Sequence, residues 1–237
     1  MPWKAWLEGH EFDLETLVDL FKAGDPGVGQ DSSEGYFLES SALVDSSDQL
    51  DQGAAQALLR RVNGIARAAD QSFRPVRLRG RYTAPDGTTS VVIFADVAEG
   101  RSRAFAGTVL INGVAPPEPP PKGPRYARLA DQDADVADIL RVLGQPDPLD
   151  WYDVYKVWEI VEHAVGGAKQ VVARGWASKA DAERFTASAN HPGISGDEAR
   201  HARMKGAPGA DRTMLMSEAD SWIRRLAATW IESLPTY

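Results

Sequence analysis

The chain has 237 residues, enough for one large domain or two small ones, and 43% hydrophobic with 25% charged residues is the composition of a folded globular protein. It contains no cysteine, which excludes disulfides, thiolate metal sites and a cysteine nucleophile. The formal net charge of −8 argues against general affinity for nucleic acid while leaving room for a local basic site.

Met1-Pro2-Trp3-Lys4-Ala5-Trp6 reaches Glu8 and Glu11 before any apolar run, so no secretory leader is expected. No stretch approaches the roughly 20 apolar residues of a membrane span. The expected compartment is the cytoplasm, with no membrane partner.

Trp3 to Phe12 reads as a short strand. Asp13 then stands where an N-cap belongs, ahead of Leu14, Leu17, Val18 and Phe21 at helical spacing. Gly24–Gly29 ends that helix as a loop, and Tyr36–Glu39 suits a second short strand. Ser46 with Gln49 forms a capping-box pattern for a helix whose apolar stripe is Leu50, Ala54, Ala57, Leu58, Val62, Ile65 and Ala69. From Phe73 the period changes to two: Val76, Leu78 and Gly80 alternate with Arg77, Arg79 and Arg81. Turns at Ala84–Gly87 and Glu99–Ser102 then separate strands at Thr88–Val97 and Ala104–Ile111, a three-stranded antiparallel meander.

The proline run from Pro116 to Pro121 is stiff and extended and marks the domain boundary. Everything after it reads as helix and loop: one or two helices over Tyr126–Leu143, then the stripe Trp151, Val154, Tyr155, Trp158, Val161 and Val165, ending at Gly166-Gly167. A short helix over Lys169–Arg174 follows, then one opened by Ser178 and running to Asn190. His191–Gly196 reads as a loop, Asp197 as the cap of a helix through Met204, and Ser217 as the cap of the last helix. The expected fold is therefore α+β: a mixed domain over 1–115 with a small antiparallel sheet, a proline-rich linker over 116–125, and an all-helical bundle over 126–237.

Several patterns fail on their chemistry. Asp131-Gln132-Asp133-Ala134-Asp135 imitates a calcium loop, but Val136 stands where a turn glycine is needed and Val142 where a glutamate should close it. Gly24–Gly29 lacks the lysine and hydroxyl of a phosphate loop, and no Gly-x-Ser-x-Gly elbow is present. Glu159 and His163 share a helical face at metal-ligand spacing, yet with four histidines in the chain a solvated helix face is the better account. Neither a metal nor a cofactor is expected. Arg77, Arg79 and Arg81 suit a phosphate or an acidic partner, or more simply a sheet face kept from aggregating.

The densest polar cluster runs from Arg184 to His191 and from Gly196 to Lys205. Positive charge at Arg200 and His201, in the first turns of a helix, opposes the helix dipole and calls for a compensating anion, either Asp197, Glu198 or a ligand. On these residues Tyr126–Tyr237 resembles the HEPN domains, helical bundles of bacterial abortive-infection and toxin proteins. Their motif joins an arginine, often followed by a polar residue, to a histidine after four to six intervening residues. Arg200-His201 resembles its start, although Lys205 occupies the histidine position. Arg184 and His191 give a second spacing match, with Phe185 for the polar neighbour and Pro192 after the histidine.

The resemblance implies RNA as partner, metal-independent cleavage and a homodimer. Arg200 would stabilise the phosphorane charge, and His201 or His191 would act as acid and base. Arg200, Lys205, Arg184 and Asn190 would hold the anion. Independently, Trp151, Tyr155, Trp158, Trp222 and Trp230 are more large aromatics than a small bundle needs, which also points to a homodimer. The rival reading is a noncatalytic interaction protein whose sheet domain recognises a partner and whose helical domain dimerises.

Overall fold

The computed structural model describes residues 2–22, 24–45, 49–91, 120–199, 209 and 212–235. The fold is α+β, and the chain divides into two compact units: Met1–Val62 with Val76–Arg125, and Asn63–Pro75 with Tyr126–Tyr237. The helical unit thus joins the thirteen residues Asn63–Pro75 to Tyr126–Tyr237.

In the first unit β1 (Lys4–Glu8), β2 (Gly27–Asp31), β3 (Gly35–Glu39), β4 (Arg77–Thr83) and β5 (Thr89–Val91) form an antiparallel sheet in the order β2-β3-β1-β4-β5. The period of two in β4 acts as its sequence demands: Leu78, Gly80 and Tyr82 are buried while Arg77 and Arg79 are exposed. Ala5 stands opposite Leu38 on one side and Tyr82 on the other, and Val28 faces Leu38, so a buried apolar row crosses four strands. Helix α1 (Glu11–Phe21) packs on β2 and buries Leu14, Leu17 and Phe21.

Three expectations for this unit change. Gly27–Asp31 is a strand rather than a loop, because pairing with β3 outweighs the weak β preference of glycine. At Gly29 the missing side chain is itself the fit, since a Cβ there would lie 2.6 Å from the Phe37 ring. The sheet is consequently not a separate meander, for β1 lies at its centre. The strand expected over Trp3–Phe12 stops at Glu8, and α1 is capped by His10, whose Nδ1 accepts the Phe12 N–H at 3.3 Å, while Asp13 is buried inside the helix. Of the later strands only Thr89–Val91 is described; residues 92–97, all of Ala104–Ile111 and Pro116–Pro119 lie outside the described residues.

Helix α2 (Gln52–Ala69) buries Leu58, Val62 and Ile65 of the expected stripe, with Ala66 beside them, while Ala57 is exposed. Its first turn is capped by Asp51, which accepts the Ala54 N–H at 3.0 Å, whereas Ser46 lies outside the described residues. Leu50 precedes the helix and bridges to Val44.

The second unit contains most of α3 (Lys122–Gln132) and all of α4 (Ala134–Leu143), α5 (Trp151–Val165), α6 (Ala168–Ala173), α7 (Lys179–Asn190), α8 (Pro192–Ser195) and α9 (Met216–Ser233). Asp150 and Asp153 form a capping box at the start of α5, whose Trp151, Val154, Val157, Trp158 and Val161 are buried. Trp158 meets Trp222 at 5.5 Å between ring centres and Phe185 meets Trp222 at 4.8 Å, so α5, α7 and α9 share one aromatic centre. Trp151, Trp158, Trp222 and Trp230 are all at most 7% exposed. They fill the unit's own core, and the surplus-aromatic argument for a homodimer loses its basis.

Helix α2 reaches this core through its last turns. A Cβ on Gly64 would lie 1.9 Å from the Leu140 carbonyl oxygen, a backbone-to-backbone approach that only glycine permits. His191–Gly196, expected as a loop, forms α8 and the start of a 3₁₀ turn over Gly196–Glu198. Asp197 lies within that turn rather than capping a helix there. Leu215 occupies the N-cap of α9 with no side-chain bond, leaving Ser217 inside the helix.

Candidate functional site

Arg184, Asn190 and His191 come from α7 and its end, where the structure shows their bonding directly. Arg184 donates from Nε (3.1 Å) and Nη2 (2.8 Å) to the Thr213 carbonyl. Its Nη1 (2.8 Å) and Nη2 (3.0 Å) reach the two oxygens of Glu218, and Asp181 lies 3.6 Å away. The Glu218 hydrogen bond holds the Arg184 pKa above the ordinary arginine value, burial opposing it and the charges of Glu218 and Asp181 adding to it. The fork therefore ties α7 to the chain entering α9.

His191 is 7% exposed, and its Nδ1 accepts the Gly193 N–H at 3.0 Å to start α8. That bond places the Nδ1 lone pair on an amide hydrogen. Ser195 closes the same turn, its hydroxyl donating to the Ala189 carbonyl at 3.3 Å and the His191 carbonyl at 3.2 Å. Asn190 is half-buried, and its Oδ1 meets no hydrogen-bond donor among the described residues. Arg200, His201 and Lys205 lie outside the described residues. The chain just before them is fixed by Glu198, which accepts the Trp151 N–H at the start of α5 at 2.9 Å.

The other sequence patterns resolve into structure. Asp133, centre of the calcium-like run, caps α4 by accepting the Asp135 and Val136 N–H groups at 2.9 and 3.2 Å. His163 and Glu159 are exposed on α5, and among the described residues no group of three or more potential ligands could hold a metal ion. Within the arginine row, Arg81 lies over the Trp6 ring at 5.0 Å and bonds Glu34 at 2.8 Å. Trp6 in turn meets Phe37 edge-on at 5.7 Å, and Lys4 sits 4.0 Å above Phe37, so this face of the sheet is a ladder of cations and rings. Among the described residues no helix is long and apolar enough to cross a membrane.

Sequence reasoning missed two features. The first is a pair of buried arginines in the helical unit. Arg67 donates to the carbonyls of Leu143 (2.8 Å), Gln145 (3.0 Å) and Asp147 (3.4 Å), capping the end of α4. Burial, with the charge of Arg224 second, lowers its pKa to about 10. Arg224 pairs with Asp220 and points Nη1 at the Gln71 and Phe73 carbonyls, both at 3.4 Å.

The second is a cleft of about 520 Å³ in the strand-rich unit, lined by Trp3, Ser40, Ser41 and Asp86 among others. Both serine hydroxyls donate to Asp25, and Ser41 also bonds it through its backbone N–H at 3.2 Å. Burial opposes ionisation of Asp25, but the hydrogen bonds from Ser40 and Ser41 outweigh it and hold the carboxyl below its ordinary pKa. Asp86 is likewise held low, first by the Thr88 N–H at 2.8 Å. No local signal announces this cleft, because its walls come from three separated stretches of chain.

Comparison with protein-family models, with curated proteins and with solved structures finds no match to this chain.

Proposed function

We propose that the chain is a noncatalytic interaction protein, with the cleft of the strand-rich unit as its recognition surface. The observation that carries this reading is the bonding of Arg184 and His191. A guanidinium held between two carboxylates and a carbonyl has little field left for a phosphorane, and an imidazole lone pair that caps a helix is not available as a base. Both groups serve the fold of the helical unit. The cleft, by contrast, combines an aromatic ring, two hydroxyls bonded to Asp25 and the anionic carboxylate of Asp86 in one open concavity.

A second reading follows the HEPN resemblance. Arg200, His201 and Lys205 would bind or cleave RNA, and the Glu198 bond to α5 would anchor the chain that leads into them. A homodimer through the helical half goes with either reading. The cytoplasmic setting goes with either and rests on the cysteine-free composition. Incubating the full chain with an end-labelled RNA pool, with and without chelator, separates the two. The interaction reading predicts intact RNA in both arms, and cleavage that persists in chelator would overturn it.

A further inference from the structure

We propose that the cleft of the strand-rich unit receives an arginine side chain presented by a partner protein. This deepens the interaction reading and rests on it. The chemistry of the lining selects the occupant. Ser40 and Ser41 both direct their hydroxyl hydrogens to Asp25, so what they turn toward a ligand is oxygen. Ser40 already accepts the Ala42 N–H at 3.1 Å, which leaves Ser41, exposed, as the freer acceptor. Asp86, also in the lining, is exposed, its carboxylate fixed by the Thr88 N–H at 2.8 Å. The described lining contains no lysine or arginine, and Lys4, next to Trp3 in sequence, is engaged over the Phe37 ring at 4.0 Å.

Asp86 supplies negative charge and Ser41 an acceptor, no cation stands in the described lining, and a ligand of donors and positive charge answers them. Guanidinium is that group, with five N–H donors and no acceptor. Its flat face stacks on an indole, which Trp3 supplies half-buried at the rim, and Pro2 and Pro85 give apolar rings for the methylene stem. Arginine fits better than lysine because the planar fork can stack on Trp3 and bond Asp86 together, whereas an ammonium cannot.

The test is calorimetric titration of the full chain with N-acetyl-arginine methylamide, and with the lysine and glutamate counterparts. Saturable binding of the arginine probe is expected, with a dissociation constant on the order of millimolar for so small a ligand. Asp86→Asn and Trp3→Ala should each weaken it roughly fivefold, and added salt should weaken it further. If Trp3→Ala does not fold, Asp86→Asn, a change on an exposed turn, carries the test alone. Absence of saturable binding, equal binding of the glutamate probe, lysine binding as tightly as arginine, or an Asp86→Asn variant that binds unchanged would each overturn the proposal. RNA cleavage in the preceding assay sinks the interaction reading whatever the cleft does. Failed arginine binding beside intact RNA sinks only the occupant.

Discussion

Arg67 and Arg224 are 4% and 8% exposed, and each sets its guanidinium against backbone carbonyls at the end of another segment. A buried charge without such partners costs several kcal/mol, and removing it strands the carbonyls in turn. Arg67→Met keeps the stem but leaves the Leu143, Gln145 and Asp147 oxygens without their donor, and should cost about 2–3 kcal/mol by urea midpoint at constant slope. Asp25 gives a pH signature of the opposite kind. Its folded pKa lies below the ordinary 3.8, so its contribution is fully present above that value and lost as pH falls through the lowered one. Wild type should therefore exceed Asp25→Asn in stability at pH 6, and the gap should close in titrations carried below pH 3.8.

At the scale of elements, periodicity made α2, α5 and α9 legible, because their buried residues recur at three- and four-residue steps that no loop sustains. The strand β2 was not legible. Gly27-Val28-Gly29 carries almost no propensity, and what makes it a strand is the partner β3 and a ring, Phe37, that needs its missing side chain. The hydroxyl cap of α7 at Ser178 was legible, whereas His10 at the start of α1 was missed in favour of Asp13, because imidazole is seldom read as an acceptor. The approach of α2 to α4 at Gly64 also has no sequence signal, since a glycine inside a helix is ordinarily just a weak point. Gly64→Ala should raise helix propensity and yet destabilise the protein by about 2–3 kcal/mol, because its Cβ would collide with backbone rather than a side chain that can turn aside. A variant as stable as wild type would show that α2 and α4 are not in backbone contact.

At the scale of the molecule, the proline run suggests cutting before Tyr126, whereas the helical unit also needs Asn63–Pro75. A fragment of 126–237 lacks Arg67 for the end of α4, and it lacks the Gln71 and Phe73 carbonyls that Arg224 engages. It should keep helical signal but melt broadly and below the full chain, and a peptide of residues 59–75 added in trans should sharpen the transition. A cooperative melt of 126–237 alone at the full-chain temperature would show that Asn63–Pro75 adds nothing. The candidate site was legible as a set of residue types, since arginine and histidine near a helix junction fit anion chemistry. Their actual bonding was not, because Glu218 and Thr213 lie far from Arg184 in sequence, and the cleft is assembled from equally distant pieces.

The central claim is that Arg184 holds the helical unit together rather than holding RNA. Arg184→Ala tests it when thermal melting and retention of labelled RNA are measured on one preparation beside wild type. Its ion pairs are partly open to solvent and discounted accordingly, so the loss should be about 1 kcal/mol and should lower Tm by roughly 2–4 °C, with RNA retention equally absent in both proteins. An unchanged Tm together with RNA retention that is present in wild type and lost in the variant would contradict the account.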